Sequence, residues 1–197
     1  MRVPYAPKEP QTEADEPIYN RIAARRAPRP LIPLDLALLH NTAVADGWNS
    51  FIGAIRTQTS LSSAVKELAI SRVAVLNSAV HEWDSHAALA IKAGLSREGM
   101  KTVSSAEVCK RGDKVEVEAE KGGLSKEMWV VLAYTDQMTR GVEVDDEVME
   151  RLKECFTDKE VVELTATVAA YNCVSRFLVA LDVGERNGGE MKKVEDF

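Results

Sequence analysis

The stretch Lys66–Ser96, KELAISRVAVLNSAVHEWDSHAALAIKAGLS, decides how this chain folds. After Glu67, the residues Leu68, Ile70, Val73, Ala74 and Leu76 fill most of a helical circumference, as in a helix buried nearly all round. Ser62 or Ser63 can cap its start. Ala79 to Ala93 gives a second helix, and Gly94 is a natural residue to end it. With the turn near Asn77 to Ala79, the two helices run antiparallel and can bring Glu67 and His86 together across their interface. Ser78, Glu82 and His86 then form one stripe, because residues four apart share a helix face.

Outward from this pair the same periodicity continues. Leu34 to Asn41 is a short helix, and Ala43 to Gln58 a longer one with Trp48, Phe51, Ile52 and Ile55 at three- and four-residue spacing. Ser96 opens a short helix, Ser125 to Arg140 resumes with Trp129, Leu132, Ala133 and Met138 inward, and Val144 to Phe156 follows. Thr157 caps the last long helix, with Glu160 in the capping-box position. The expected fold class is all-α, a single-domain bundle of about eight helices. All seven prolines lie at or before Pro33, so residues 1–33 read as a proline-rich arm and 34–184 as the helical body. Within the arm, Glu16–Arg26 can form one helix; Arg21, Arg25, Arg26 and Arg29 invite an anionic partner, against the plainer reading of a solvated arm or a subunit contact. Residues 104–123 are charged and glycine-bearing, a surface loop or a small hairpin inserted into the body, and 185–197 read as a polar, frayed tail.

Composition narrows the function classes. A net charge of -6 opposes a nucleic-acid surface, so no nucleic-acid partner is expected. No window approaches about 18 uninterrupted apolar residues, and the first residues lack an apolar signal region, which argues for no membrane and a cytoplasmic location. Cys109, Cys155 and Cys173 form no CxxC, so neither a disulfide framework nor a zinc knuckle is expected. HEWDSH separates His81 and His86 by five residues, pointing them about 140° apart, and is not the HExxH pattern of zinc proteases; no metal and no cofactor are expected.

A carboxylate hydrogen-bonded to an imidazole fixes its tautomer and raises its basicity, so His86 beside Glu67 can move a proton near neutral pH. From spacing alone, a buried structural Glu–His pair is an equal reading. Trp48 and Trp83 can wall an aromatic ligand or simply pack in the core, and His81 and Tyr171 complete the candidate substrate-binding set. Tyr171 and Asn172 put polar groups into an apolar run, where each must be satisfied internally or face a pocket. Arg176 can meet a carboxylate substrate or pair with Glu163, and Cys173, among apolar neighbours, is expected to pack.

Glu67 to Ser96 resembles the signature of the carboxymuconolactone decarboxylase and alkyl hydroperoxidase D-like superfamily, and the likeness extends over roughly Leu34 to Gly184. The resemblance implies an all-helical subunit of the alkyl hydroperoxidase D-like type, assembled as a homo-oligomer: a dimer, trimer or hexamer. In the peroxidase branch a glutamate, a CxxC pair and a histidine form the site. Glu67 and His86 correspond to the first and last, while the cysteine positions fall on Ala79 and Glu82. Without thiols a peroxide-reducing centre is disfavoured. The remaining expectation is a cofactor-independent decarboxylase of a small-molecule lactone, β-keto or aromatic-type carboxylic acid. In it His86 protonates carbon, Glu67 orients His86, and Glu82 is a second acid or polar wall. A proton-transfer isomerase or cyclase, or a non-catalytic helical assembly, stands as the alternative.

Overall fold

A computed structural model describes residues 1–105 and 119–197. Among these residues nine α-helices have both ends defined, and there is no strand. They are α1 Glu16–Arg26, α2 Pro33–Leu38, α3 Thr42–Thr57, α4 Ser63–Leu76, α5 Val80–Lys92, α6 Arg97–Ser104, α7 Lys126–Gly141, α8 Asp146–Cys155 and α9 Asp158–Leu181. Residues 119–121 are also helical. The hairpin-or-loop reading of 104–123 falls mostly outside the described residues.

Five helices start on a side-chain cap. Asn41, Ser62, Ser96, Ser125 and Thr157 accept a hydrogen bond from a backbone N–H of the first turn, and Glu160 returns the bond to the N–H of Thr157. Each such cap stabilises its helix by about 1 kcal/mol. Between α4 and α5 the chain turns through Ser78 in a left-handed conformation. Asn77 donates to Asn172 on α9 at 3.1 Å, fixing that turn to the neighbouring helix.

Helix α4 is the axis of the bundle and packs against α5, α6, α7 and α9. Every residue from Glu67 to Ala74 on it is buried, as its unbroken apolar pattern requires. Three of those residues are polar. Arg72 is wholly enclosed and donates to Asp136 on α7 at 2.5 and 2.8 Å and to the carbonyl of Val103 at 2.8 Å. A buried guanidinium persists only with this degree of pairing. Helix α9 is long and apolar enough to cross a membrane by length and composition alone. Here its apolar face packs on α3, α4, α5, α7 and α8.

The chain ends pack more closely than the sequence suggested. The arm keeps most of its residues exposed but is docked through α1: Tyr19 and Ile22 are buried with Ala6, Leu36, Leu38, Leu39 and Ala45 in a second small core. Three of its arginines have partners inside the molecule: Arg21 reaches Asp46, Arg25 reaches Asn49, and Arg26 grips both oxygens of Asp35 at 2.7 and 2.8 Å. The apolar residues of α1 have a face on α3 to cover, which the prolines around it allow. The tail is docked, not frayed. Trp83 donates its indole N–H to the carbonyl of Lys192 at 2.9 Å, Arg97 donates to the carbonyls of Val194 and Phe197, and Val194 is buried. Cys173, expected to pack, is exposed on α9, because its position falls on the side of the helix away from the bundle.

Candidate active site

Four helices each deliver one side chain to a single cluster. Glu67 lies in the second turn of α4, His86 at the middle of α5, Arg56 near the end of α3 and Tyr171 midway along α9. Glu67 Oε2 is 2.6 Å from His86 Nδ1, and its Oε1 accepts from Arg56 Nη1 at 2.6 Å. Arg56 Nη1 is also 3.5 Å from the Tyr171 hydroxyl. The ring of His86 stands edge-on to that of Tyr171, with centroids 5.1 Å apart. Short distances between ionised partners mark strong charge-assisted hydrogen bonds.

This geometry settles the imidazole's tautomer. Glu67 is flanked by a permanent cation and stays ionised, so the nitrogen facing it, Nδ1, carries the proton. The Arg56 N–H at 3.5 Å from Nδ1 is therefore a close neighbour and not a donor to it. Nε2 is left with a free lone pair. It has no partner among the described residues and is not enclosed, and 14% of the His86 side chain is exposed. The proton-accepting nitrogen thus lies at an open edge of the cluster.

Electrostatics sets the two groups apart. Burial raises the Glu67 carboxyl, but the hydrogen bonds and charges of His86 and Arg56 outweigh it and hold the group below the usual carboxylate range. Burial lowers His86 and outweighs the pull of Glu67, and Arg56 lowers it further. At neutral pH the pair is therefore carboxylate and neutral imidazole. Burial pushes the Tyr171 phenol up, so it keeps its proton. Its hydroxyl hydrogen has no acceptor among the described residues, which leaves it free to donate to a ligand oxygen.

Glu82 occupies a neighbouring position but faces α9. It is 2% exposed, and its two oxygens lie 3.0 and 3.1 Å from Ser175 Oγ. Ser175 Oγ also lies 2.8 Å from the carbonyl of Tyr171. One hydroxyl proton is the most this carboxyl can receive, and burial drives its pKa well up. As the neutral acid it donates to Ser175, while Ser175 donates to Tyr171, and all three groups are satisfied.

The remaining sequence candidates separate. Trp83 is fully buried and ties the tail to α5, so it does not wall a pocket. Trp48 is partly buried and packs on Phe177, with ring centroids 5.3 Å apart. His81 lies away from the cluster: its ring rests against Gly184, where an added Cβ would meet Nδ1 at 3.0 Å. Asn172 is satisfied internally by Asn77, Thr139 and the carbonyl of Val168, and Arg176 pairs with Asn172 instead of Glu163. Arg56 escaped the sequence reading. Its signal was present: it continues the inward stripe Trp48, Ile52, Ile55, where a cation among apolar positions needs a buried partner.

Comparison with known proteins agrees with this architecture. Residues 42–120 match the model of the carboxymuconolactone decarboxylase family. No curated protein matches the chain in sequence. Among solved structures it is similar to a protein of unknown function from Agrobacterium tumefaciens, described as a candidate antioxidant defence protein AhpD. Identity is 20%, TM-score 0.57, and the match covers 69% of this chain and 86% of that one. It is also similar to a Cys→Ala variant of the debrominase Bmp8 in complex with 2,3,4-tribromopyrrole. There identity is 13%, TM-score 0.64, and coverage 96% and 93%. At these identities the likeness is one of fold.

Proposed function

From the match of residues 42–120 to the carboxymuconolactone decarboxylase family and a fold similar to that of an AhpD-like protein, we propose that the Glu67–His86 pair is a proton-transfer centre of a decarboxylase that needs no cofactor. The observation that carries this reading is the outward-facing Nε2 of an imidazole whose other nitrogen is held by a buried, ionised carboxylate. The substrate class is a lactone, β-keto or aromatic-type carboxylic acid, which provides its own electron sink.

The chemistry balances without an added reagent. The bond to the departing carboxylate breaks, its electron pair moves through the adjacent carbon to the substrate's carbonyl oxygen, and carbon dioxide leaves. The Tyr171 hydroxyl stabilises that oxygen in this reading. His86 Nε2 first takes a proton from solvent, and carbon then takes that proton from the imidazolium. Glu67 stabilises the imidazolium during its short life and keeps the ring in one orientation.

Thiol chemistry finds less support. Among the described cysteines, Cys155 ends α8 and burial pushes its thiol up, while Cys173 is exposed on α9 away from the cluster. Ala79 and Glu82 stand where the peroxidase resemblance implies thiols. Within the same site, isomerisation or cyclisation uses the same proton relay with no loss of carbon.

Incubation with a panel of β-keto, lactone and aromatic acids should release carbon dioxide, with a fall of about 10²–10⁴ in His86→Asn. Absence of His86-dependent release from every acid overturns the decarboxylase reading. Solvent deuterium in a product that has kept all its carbon assigns isomerisation instead.

A further inference from the structure

Arg56 holds Glu67 and nears Tyr171 through Nη1 alone. Its Nε and Nη2 have no partner among the described residues, they are not enclosed, and 29% of the side chain is exposed. A guanidinium offers five N–H donors in a planar fork, so most of this one's capacity faces outward beside His86. Next to it stands Arg25 of α1. Its Nη2 donates to Asn49, and its nearest approach to a carboxylate is 4.0 Å, to Asp35. Asp35 is already held by both prongs of Arg26 and by the N–H of Ile32 at 3.0 Å. Three arginines, 25, 26 and 56, thus meet two carboxylates, Asp35 and Glu67, leaving one positive charge in excess in a chain whose net charge is -6. Arg25 senses the charge of Arg56 and the Tyr171 phenol, and its pKa is lowered first by burial and then by Arg26.

We propose that Arg56, through its outward Nε and Nη2, anchors an anionic group of the ligand beside His86, and that Arg25 of the N-terminal arm supplies the second cation. This deepens the proposed function and rests on it for the site's location. The anchored group is not the one expelled: pairing with a guanidinium stabilises a carboxylate as an anion, whereas decarboxylation withdraws that charge into the carbon skeleton. The ligand therefore carries an anionic group that the reaction retains.

Benzoate and its neutral isostere benzamide test this without turnover. Binding is followed by NMR of the imidazole protons, since the chain has only three histidines. His40, whose Nε2 sits 2.6 Å from the carbonyl of Pro4, and His81, against Gly184, serve as internal references. Benzoate should shift the His86 resonances and raise its pKa, and benzamide should bind at least about tenfold more weakly. Arg56→Lys, which keeps a charge for Glu67, should weaken benzoate several-fold, and Arg25→Gln likewise. Arg21→Gln, which loses only its pair with Asp46, should not change it. Equal binding of benzamide, a shift confined to His40 or His81, benzoate affinity unchanged in both Arg25→Gln and Arg56→Lys, or no binding of benzoate overturns the proposal. A panel without turnover but with Arg-dependent benzoate binding at His86 would refute the decarboxylase alone.

Discussion

Replacing Glu82 by glutamine should stabilise this protein, and more so as pH rises. The folded chain holds Glu82 as the neutral acid, enclosed and opposite Ser175. The unfolded chain releases that proton above about pH 4.3. Between the unfolded and folded pKa values the native state therefore binds one proton more than the unfolded state, and stability falls by about 1.4 kcal/mol for each pH unit. Glutamine keeps the shape, donates its amide N–H to Ser175, and does not titrate. The difference between variant and wild type should open by about 1.4 kcal/mol per unit from about pH 5, then level off at the folded-state pKa. Urea unfolding at pH 5, 6, 7 and 8 and constant ionic strength measures it, against total stabilities of about 5–15 kcal/mol. A difference that stays flat or narrows with pH would show that Glu82 is ionised in the native protein and that the Ser175 pairing has been misread.

Turnover draws on protonated His86 and should fall as pH rises through a value below the ordinary imidazole pKa of about 6.5, because burial and Arg56 lower it. In Arg56→Gln that limb of the pH–rate profile should move upward, since a cation opposing protonation is gone; an unmoved limb contradicts the assigned coupling. Asp136→Ala leaves the enclosed Arg72 without its carboxylate and should cost about 3–5 kcal/mol in denaturant unfolding. Trp83→Phe removes the bond to the Lys192 carbonyl, which should cost about 1 kcal/mol and speed amide exchange at Val194–Asp196.

Much of this was legible in the chain. Helix positions and polar caps followed from local rules, since Ser62, Ser96, Ser125 and Thr157 act within three residues of themselves. The approach of Glu67 to His86 was readable because one short turn joins their two helices. Arg56 was not, since its partner Glu67 lies across a helix–helix contact and an isolated arginine resembles a solvated one. The packing of the ends was hidden for a similar reason. Composition pointed to a solvated arm and a frayed tail, whereas a few residues, Ile22 in the arm and Val194 in the tail, find apolar surface on distant elements. Trp83 showed the same limit: its indole partner is a backbone carbonyl more than a hundred residues away.

Because α4 has no face open to water over Glu67–Ala74, the carboxylate at its start cannot swing or drift as a reaction proceeds. Little reorganisation is then needed when the imidazole beside it gains charge. Diversification of this scaffold toward new ligands would have to reshape the walls contributed by α1, α3, α5 and α9, while the spine that holds the acid stays as it is.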